Sequence, residues 1–340
     1  MKMQASNRIS WIDTMKAFSI LMVVLYHTDI MPEIKDLAYI LCLPAFFWAA
    51  GLFVNTTQSP KAFFRHNTLR LLIPYVVFAI LSWFIWMGRN YGQTSEMQAW
   101  WKPLWGIVAG NVRLLPQNRP LWFLCCMISL EWIYYLVSRL RQSWLQWIVI
   151  ACLATIGCLS SAHFDYNVWE IFAACIVLPI YALGAKYKDF FLSYFNNCPL
   201  WTLLIILPCS IVGIWMGYTY NPAIKISVCE VQNPFLFYTT LFSVVAFWLS
   251  LSGLLDRLFG ALRGLQYIGR NTLIILCAHI PLFSIIKGIC MICHIPLSFF
   301  DTNIGSITLW VTSLICLVPI TYIINRYLPF MIGKRKSSTP

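Results

Sequence analysis

The sequence predicts an all-α polytopic membrane bundle of about ten transmembrane helices, and three observations carry that prediction. Hydrophobic residues make up 60% of the 340 positions and charged residues only 11%, whereas a soluble globular domain carries about 25% charged residues. The apolar residues fall into runs about as long as a bilayer is thick. The 24 Lys and Arg lie mostly in the short segments between those runs. A soluble core cannot absorb so much apolar surface, but a bundle of helices can turn it to lipid.

Ten runs qualify as spans: 12–31, 37–54, 69–87, 120–138, 144–162, 168–186, 200–218, 234–254, 267–287 and 304–328. Together they predict one transmembrane domain over 1–340 with no soluble domain, closed by a basic, disordered tail at 329–340. The positive-inside rule tests the count. With the N-terminus in the cytoplasm, 17 Lys and Arg fall on the cytoplasmic side. The other side holds seven: Lys35, Arg89, Lys102, Arg113, Arg119, Lys225 and Lys287. The alternation never breaks along the chain, so both termini are expected inside; one miscounted span would invert the pattern downstream. The longest connection, 88–119, contains Trp100, Trp101, Pro103 and Trp105 and is expected to lie on or dip into the interface. Sixteen Trp, sixteen Tyr and 23 Phe suit aromatic belts.

The composition also excludes several classes. A net charge of +12 would raise nucleic acid for a soluble protein, but here the basic residues follow topology. Most of the 13 cysteines sit within apolar runs, where Cys behaves as a small hydrophobe rather than as part of a disulfide framework. Cys290, Cys293 and His294 spell C-x-x-C-H, the haem-attachment pattern; with apolar flanks it reads as packing. The first run contains Lys16 and His27 and no small-x-small cleavage site follows it, so it reads as a retained helix, not a signal peptide.

Ionisable groups inside a span are expensive and point to function by default. In the first span Lys16 and His27 are eleven residues apart, almost three whole turns, so they share one face about 16 Å apart along the axis. A cation at the inner mouth and an imidazole further along could line a transverse path. Alternatively, Lys16 snorkels as an orientation charge and His27 sits at the outer interface. Arg65 and Arg70 open the third span; topology accounts for Arg65, while Arg70 lies deeper and could bind phosphate through its two-pronged guanidinium. Arg119 and Trp122 are expected at the outer interface, as a sugar platform or as belt residues. Glu131 lies within its span and requires a partner or a proton. In the ninth span His279 is seven residues beyond Thr272 on the same face, with Asn271 beside it and Pro281 breaking the ladder just after.

Four stretches, taken together, resemble the acyltransferase-3 family of integral-membrane O-acyltransferases, in its sugar-acetylating branch. They are Trp11-Ile12-Asp13 through Lys16 to His27, Leu43-Pro44-Ala45-Phe46-Phe47-Trp48-Ala49-Ala50-Gly51, Arg70-Leu71-Leu72-Ile73-Pro74-Tyr75, and Tyr267-Ile268-Gly269-Arg270-Asn271-Thr272 up to His279-Ile280-Pro281. Leu121-Trp122-Phe123 adds a weaker match. The order is kept over residues 11–281. There are departures: Asn67 stands where the family often has an arginine three before Arg70, and Ala50 stands where Ser is common.

The resemblance implies transfer of an acyl group, acetyl in that branch, from cytoplasmic acyl-CoA to a glycan hydroxyl. It implies His27 as general base or transient acyl carrier, with Lys16 and Arg70 near the acyl-CoA phosphates. His279, Trp122, Arg119, Asn271, Thr272 and Glu131 would then shape the acceptor side or cavity. Acyl-CoA (acetyl-CoA or another) enters as donor substrate, with no permanently bound cofactor, no metal and no nucleic-acid partner. The acceptor is a cell-surface or lipid-linked glycan, and the location a bacterial inner membrane. A proton-coupled transporter or flippase of a glycan or lipid-linked intermediate is the rival reading, since it too needs many helices and a titratable group near the midplane. No inverted repeat supports it.

Overall fold

The computed structural model describes residues 9–91, 99–160, 167–221 and 224–334. Among the described residues nine helices are long and apolar enough to cross a membrane. In chain order the helices are α1 (Ser10–Tyr26), α2 (Pro32–Cys42), α3 (Pro44–Phe53) and α4 (Pro60–Arg89), the short α5 (Lys102–Ala109), α6 (Trp122–Val137) and α7 (Ser143–Ser160). They continue with α8 (Ile171–Lys186), α9 (Lys188–Asn197), α10 (Leu200–Tyr220), α11 (Pro234–Phe259), α12 (Arg263–Arg270), α13 (Thr272–Ile292) and α14 (Asn303–Tyr327). The protein is a multi-pass integral membrane protein.

The tenth predicted span, α1, has 17 residues and rises about 26 Å, at the short end of what crosses a hydrocarbon core. It ends at Tyr26 rather than at 31. The amide and the hydroxyl of Thr28 both donate to the Leu25 carbonyl, at 3.0 and 2.7 Å, and Pro32 then opens α2. Most of α1 is buried, against α2, α11, α12 and α13, so it forms the axis of the bundle.

Two predicted spans are interrupted, each for a local reason. The second divides at Leu43 because Pro44 has no N–H to continue the ladder. The ninth begins only at Thr272: α12 ends before Asn271, whose side-chain amide donates to the freed Tyr267 carbonyl at 2.8 Å. The third span starts earlier than expected, at Pro60, and passes through one π-helical turn at Phe64–Thr68 before the regular helix. The expected tail is also shorter. Pro329–Ile332 forms a 3₁₀ turn, Ile332 is buried, and Lys334 donates to Asn325 at 3.2 Å; residues 335–340 lie outside the described residues.

Close helix contacts explain two glycines. A Cβ on Gly51 of α3 would lie 2.1 Å from the Tyr181 carbonyl oxygen of α8, and one on Gly184 of α8 would lie 2.4 Å from that of Trp48. Reciprocal small residues let membrane helices approach to backbone contact. Pro281 in α13 likewise leaves the Cys277 carbonyl without its helical donor. The buried Asn118 replaces that donor, giving one amide hydrogen to Cys277 O and the other to Ser82 Oγ, each at 2.9 Å. One side chain thereby ties the entry of α6 to α4 and α13.

The C-x-x-C-H sequence closes α13. His294 has φ 61°, its N–H bonds the Met291 carbonyl, and the Ile295 N–H bonds that of Cys290. This is the 6→1 and 5→2 pattern of a Schellman cap, with His in place of the usual Gly.

Candidate active site

The stripe Lys16, Ile20, Val23, His27 on α1 faces two cavities, one at each end. Spacings of four, three and four residues keep these side chains on one helical face. The first cavity, about 530 Å³, opens near the start of α1 on the side richer in Lys and Arg, the basic side; it is lined by Lys16, Asn55, Gln58, His66, Asn67, Arg70, Glu131 and Thr272 with apolar neighbours. The second, about 570 Å³, lies at the other end of α1, the far side; it is lined by His27, Tyr26, Tyr39, Arg119, Trp122 and residues of the 110–121 and 225–228 segments. Phe123 and Leu276 line both cavities. They form the wall between them, and Phe123 is packed against the rings of Phe46 and Phe47 at 5.9 and 5.1 Å. The single transverse path expected from the sequence is thus two vestibules with a thin aromatic and aliphatic partition, because these bulky side chains meet where the polar stripe is interrupted.

On the basic side Lys16, Arg70 and Arg270 are held in ion pairs. Lys16 lies 2.8 Å from Asp13, and the other oxygen of Asp13 receives Arg270 Nε at 3.1 Å. This works because Gly269 lets α12 touch α1: a Cβ there would fall 1.8 Å from the Asp13 carbonyl oxygen. The partner of Glu131 is Arg70, at 3.5 Å, with the carboxylate side chain 3% exposed and the guanidinium 59% exposed. Glu131 and Thr272 line the basic-side cavity, and Asn271 lines an adjoining one of about 650 Å³ that also holds Arg65, Arg70, Arg270 and Lys334. Of the residues expected at the acceptor side or cavity, Glu131 and Thr272 thus line the basic-side cavity and Asn271 the adjoining one, across the partition from His27. The break at Asn271 starts α13 at the basic end, and Glu131 follows Trp122 by about two and a half turns towards that same end.

Two imidazoles meet on the far side of the partition. The rings of His27 and His279 are 5.1 Å apart, centroid to centroid. Each points Nδ1 at the carbonyl four residues earlier, His27 at Val23 O (2.8 Å) and His279 at Ile275 O (3.0 Å). A carbonyl only accepts, so Nδ1 carries the hydrogen in both and Nε2 carries the lone pair. The His279 Nε2 is buried with no hydrogen-bond partner among the described residues, and His279 is itself fully buried, behind the cavity wall rather than lining it. His27 is half-buried and lines the cavity, its ring edge against Tyr26 at 4.8 Å. Arg119 and Trp122 lie there too, as expected.

The roof of the far cavity is a set of pinned loops. An antiparallel pair, β1 (Ile224–Lys225) and β2 (Glu230–Val231), follows α10, and Tyr39 Oη meets Ser227 Oγ at 3.4 Å. Glu170, fully buried in a left-handed conformation at φ 51°, accepts from the Val112 N–H at 2.7 Å and from Asn167 at 2.9 Å. That fixes the backbone beside Arg113. Sequence reading did not single out Lys35, Tyr39, Arg113, Glu170 or Lys225 as site residues. The available signal was that three of these five are basic residues on the side the positive-inside rule leaves poor in charge. Among the described residues no group of three or more His, Cys, Asp or Glu is placed to hold a metal ion.

The bundle thus holds a cation-lined vestibule at one end of α1, an imidazole in a second vestibule at the other, and a thin partition between them. A family model described as an acyltransferase domain matches residues 9–326, nearly the whole chain. The protein belongs to this acyltransferase-3 family and is a membrane acyltransferase. No curated protein and no solved structure shows significant similarity to the chain.

Proposed function

We propose that this acyltransferase moves an acyl group, acetyl by its resemblance to the sugar-acetylating branch, from cytoplasmic acyl-CoA to a hydroxyl of a cell-surface or lipid-linked glycan at a bacterial inner membrane. The observation that carries the proposal is the α1 stripe, which joins Lys16 in one vestibule to His27 in the other. On this reading the basic-side vestibule receives the phosphates of acyl-CoA, with Arg70 and Lys16 supplying charge and His66 and Asn67 hydrogen bonds. The thioester arm displaces the Phe123 side chain and brings its carbonyl carbon to His27.

His27 Nε2, the nitrogen with the lone pair, then has two routes. As general base it takes the proton of the acceptor hydroxyl; that oxygen attacks the thioester carbon, the C–S bond breaks, and the thiolate regains the proton from the imidazolium. As acyl carrier Nε2 attacks the carbon itself and the C–S bond breaks, giving an acyl-imidazolium and CoA thiolate; the acceptor hydroxyl then attacks the acyl carbon, the C–N bond breaks to restore the neutral imidazole, and the hydroxyl proton passes to the thiolate. The Nδ1–H bond to Val23 holds the tautomer in either route. His279 packs against the ring and positions it.

Purified protein in detergent with radiolabelled acyl-CoA tests this. His27→Ala should lose at least about 10²-fold in turnover, the usual contribution of a positioned acid–base group. Label trapped on the wild-type protein without acceptor, and absent in His27→Ala, selects the carrier route. Wild-type turnover in His27→Ala removes His27 from the mechanism. A flippase would show no acyl-CoA turnover at all.

A further inference from the structure

The far cavity is cationic. Lys35 from α2, Arg113 and Arg119 from the 110–121 segment, and Lys225 from β1 all line it, together with His27. Among the described residues its lining includes no Asp or Glu. Lys225 is paired with Glu230 at the rim, at 3.3 Å with both side chains about half exposed. The Lys35 ammonium stands 5.9 Å over the ring of Tyr26, whose edge meets His27.

This arrangement runs against topology. Lys and Arg on the translocated side are disfavoured in short loops, and only seven of 24 were assigned there from the sequence. Four of those seven, spread from residue 35 to residue 225, converge on one cavity of about 570 Å³. Lys225 already pairs with Glu230, and the buried Glu170 carboxylate acts on Arg113, which leaves Lys35 and Arg119 without an ion pair among the described residues. Two like charges in a confined space repel one another unless an anion joins them, and the planar guanidinium of Arg119 matches carboxylate and phosphate oxygens. Tyr26, Tyr39 and Trp122 supply flat faces suited to a sugar ring beside them.

We infer that the acceptor is anionic: an acidic group on the glycan is held by Lys35 and Arg119 while the hydroxyl to be acylated lies at His27. Two sources have this chemistry, a sugar carboxylate or the diphosphate of a lipid-linked saccharide. The inference rests on the acceptor site proposed above, but it is read by binding rather than turnover.

Four probes in two matched pairs provide the test, with the full-length protein in detergent and Trp fluorescence as the signal. A glucuronic-acid disaccharide is compared with its uncharged amide, and farnesyl diphosphate N-acetylglucosamine with the uncharged farnesyl glycoside. The charged member of at least one pair should bind about tenfold or more tightly, the scale of one charge-assisted hydrogen bond. Arg119→Gln and Lys35→Gln should erase that preference, and Lys35→Arg should restore it. The pair that discriminates identifies the source. Equal affinities within both pairs, or a preference unchanged in Arg119→Gln and Lys35→Gln, would overturn the inference. Absent acyl-CoA turnover with charge-selective binding intact would instead count against the proposed reaction.

Discussion

The Arg70–Glu131 pair predicts an asymmetry in stability that follows from exposure alone. Glu131 has 3% of its side chain exposed and Arg70 has 59%. Arg70→Met leaves a carboxylate in the protein interior without its cation, and one of its oxygens, Oε2, already has no hydrogen-bond partner. Stranding a buried charge in this way typically costs about 3–5 kcal/mol. Glu131→Gln leaves a guanidinium that is already mostly in water, so it loses only a half-exposed ion pair, about 1 kcal/mol or less. The double variant removes the stranded charge along with its partner and should recover most of the Arg70→Met loss. The expected order of stability is wild type, Glu131→Gln, double variant, Arg70→Met, measured by SDS-induced unfolding of the purified protein in mixed micelles. The double variant closes a mutant cycle, which isolates the pair from other effects of each substitution. Equal losses for the two single variants, or additive losses in the double, would refute the burial argument. The same variants separate structure from binding: Arg70→Met should raise KM for acyl-CoA more than Glu131→Gln does, if the guanidinium meets donor phosphate.

Three further outcomes follow from the packing. Gly269→Ala places a methyl 1.8 Å from the Asp13 carbonyl oxygen, so α12 must move off α1; a loss of about 1–3 kcal/mol is expected, and it should weaken acyl-CoA binding because Arg270 leaves Asp13. Asn118→Ala orphans the Cys277 carbonyl beside Pro281 as well as Ser82, and should cost about 2–3 kcal/mol, seen as a lower thermal midpoint; Asn118→Asp, which cannot donate either bond when ionised, should not rescue it. Phe123→Ala joins the two vestibules. It should raise acceptor-independent hydrolysis of acyl-CoA relative to transfer, and a hydrolysis-to-transfer ratio equal to wild type would show that Phe123 is no barrier.

Much of the site was legible along single helices. Lys16 and His27 were paired by helical periodicity, and they do mark the two ends of one stripe. Arg119 and Trp122 were placed at the far interface from their position in the fourth span, and both line the far cavity. Thr272 and His279 lie on one face, yet seven residues of rise, about 10 Å, put them on opposite sides of the Phe123–Leu276 partition. The helix α1 is shorter than the predicted span because residues 27–31, His27-Thr28-Asp29-Ile30-Met31, are largely polar, and Thr28 and Pro32 turn the chain there into α2.

The sequence by itself determined the order of the membrane segments, of which nine are long and apolar enough to span among the described residues where ten were expected, and the family to which they belong. These are properties of local composition, and hydrocarbon enforces them on every segment separately: each run must satisfy its own backbone and hide its own charges. Only the tertiary structure decided that Arg70 answers Glu131, that Asp13 joins Lys16 to Arg270, and that cations from residues 35, 113, 119 and 225 face one imidazole. Those meetings span up to about 260 positions of chain. They depend on which helix faces touch, and that is settled by close approaches such as Gly51 on Tyr181 and Gly269 on Asp13, which leave no periodic trace in the sequence.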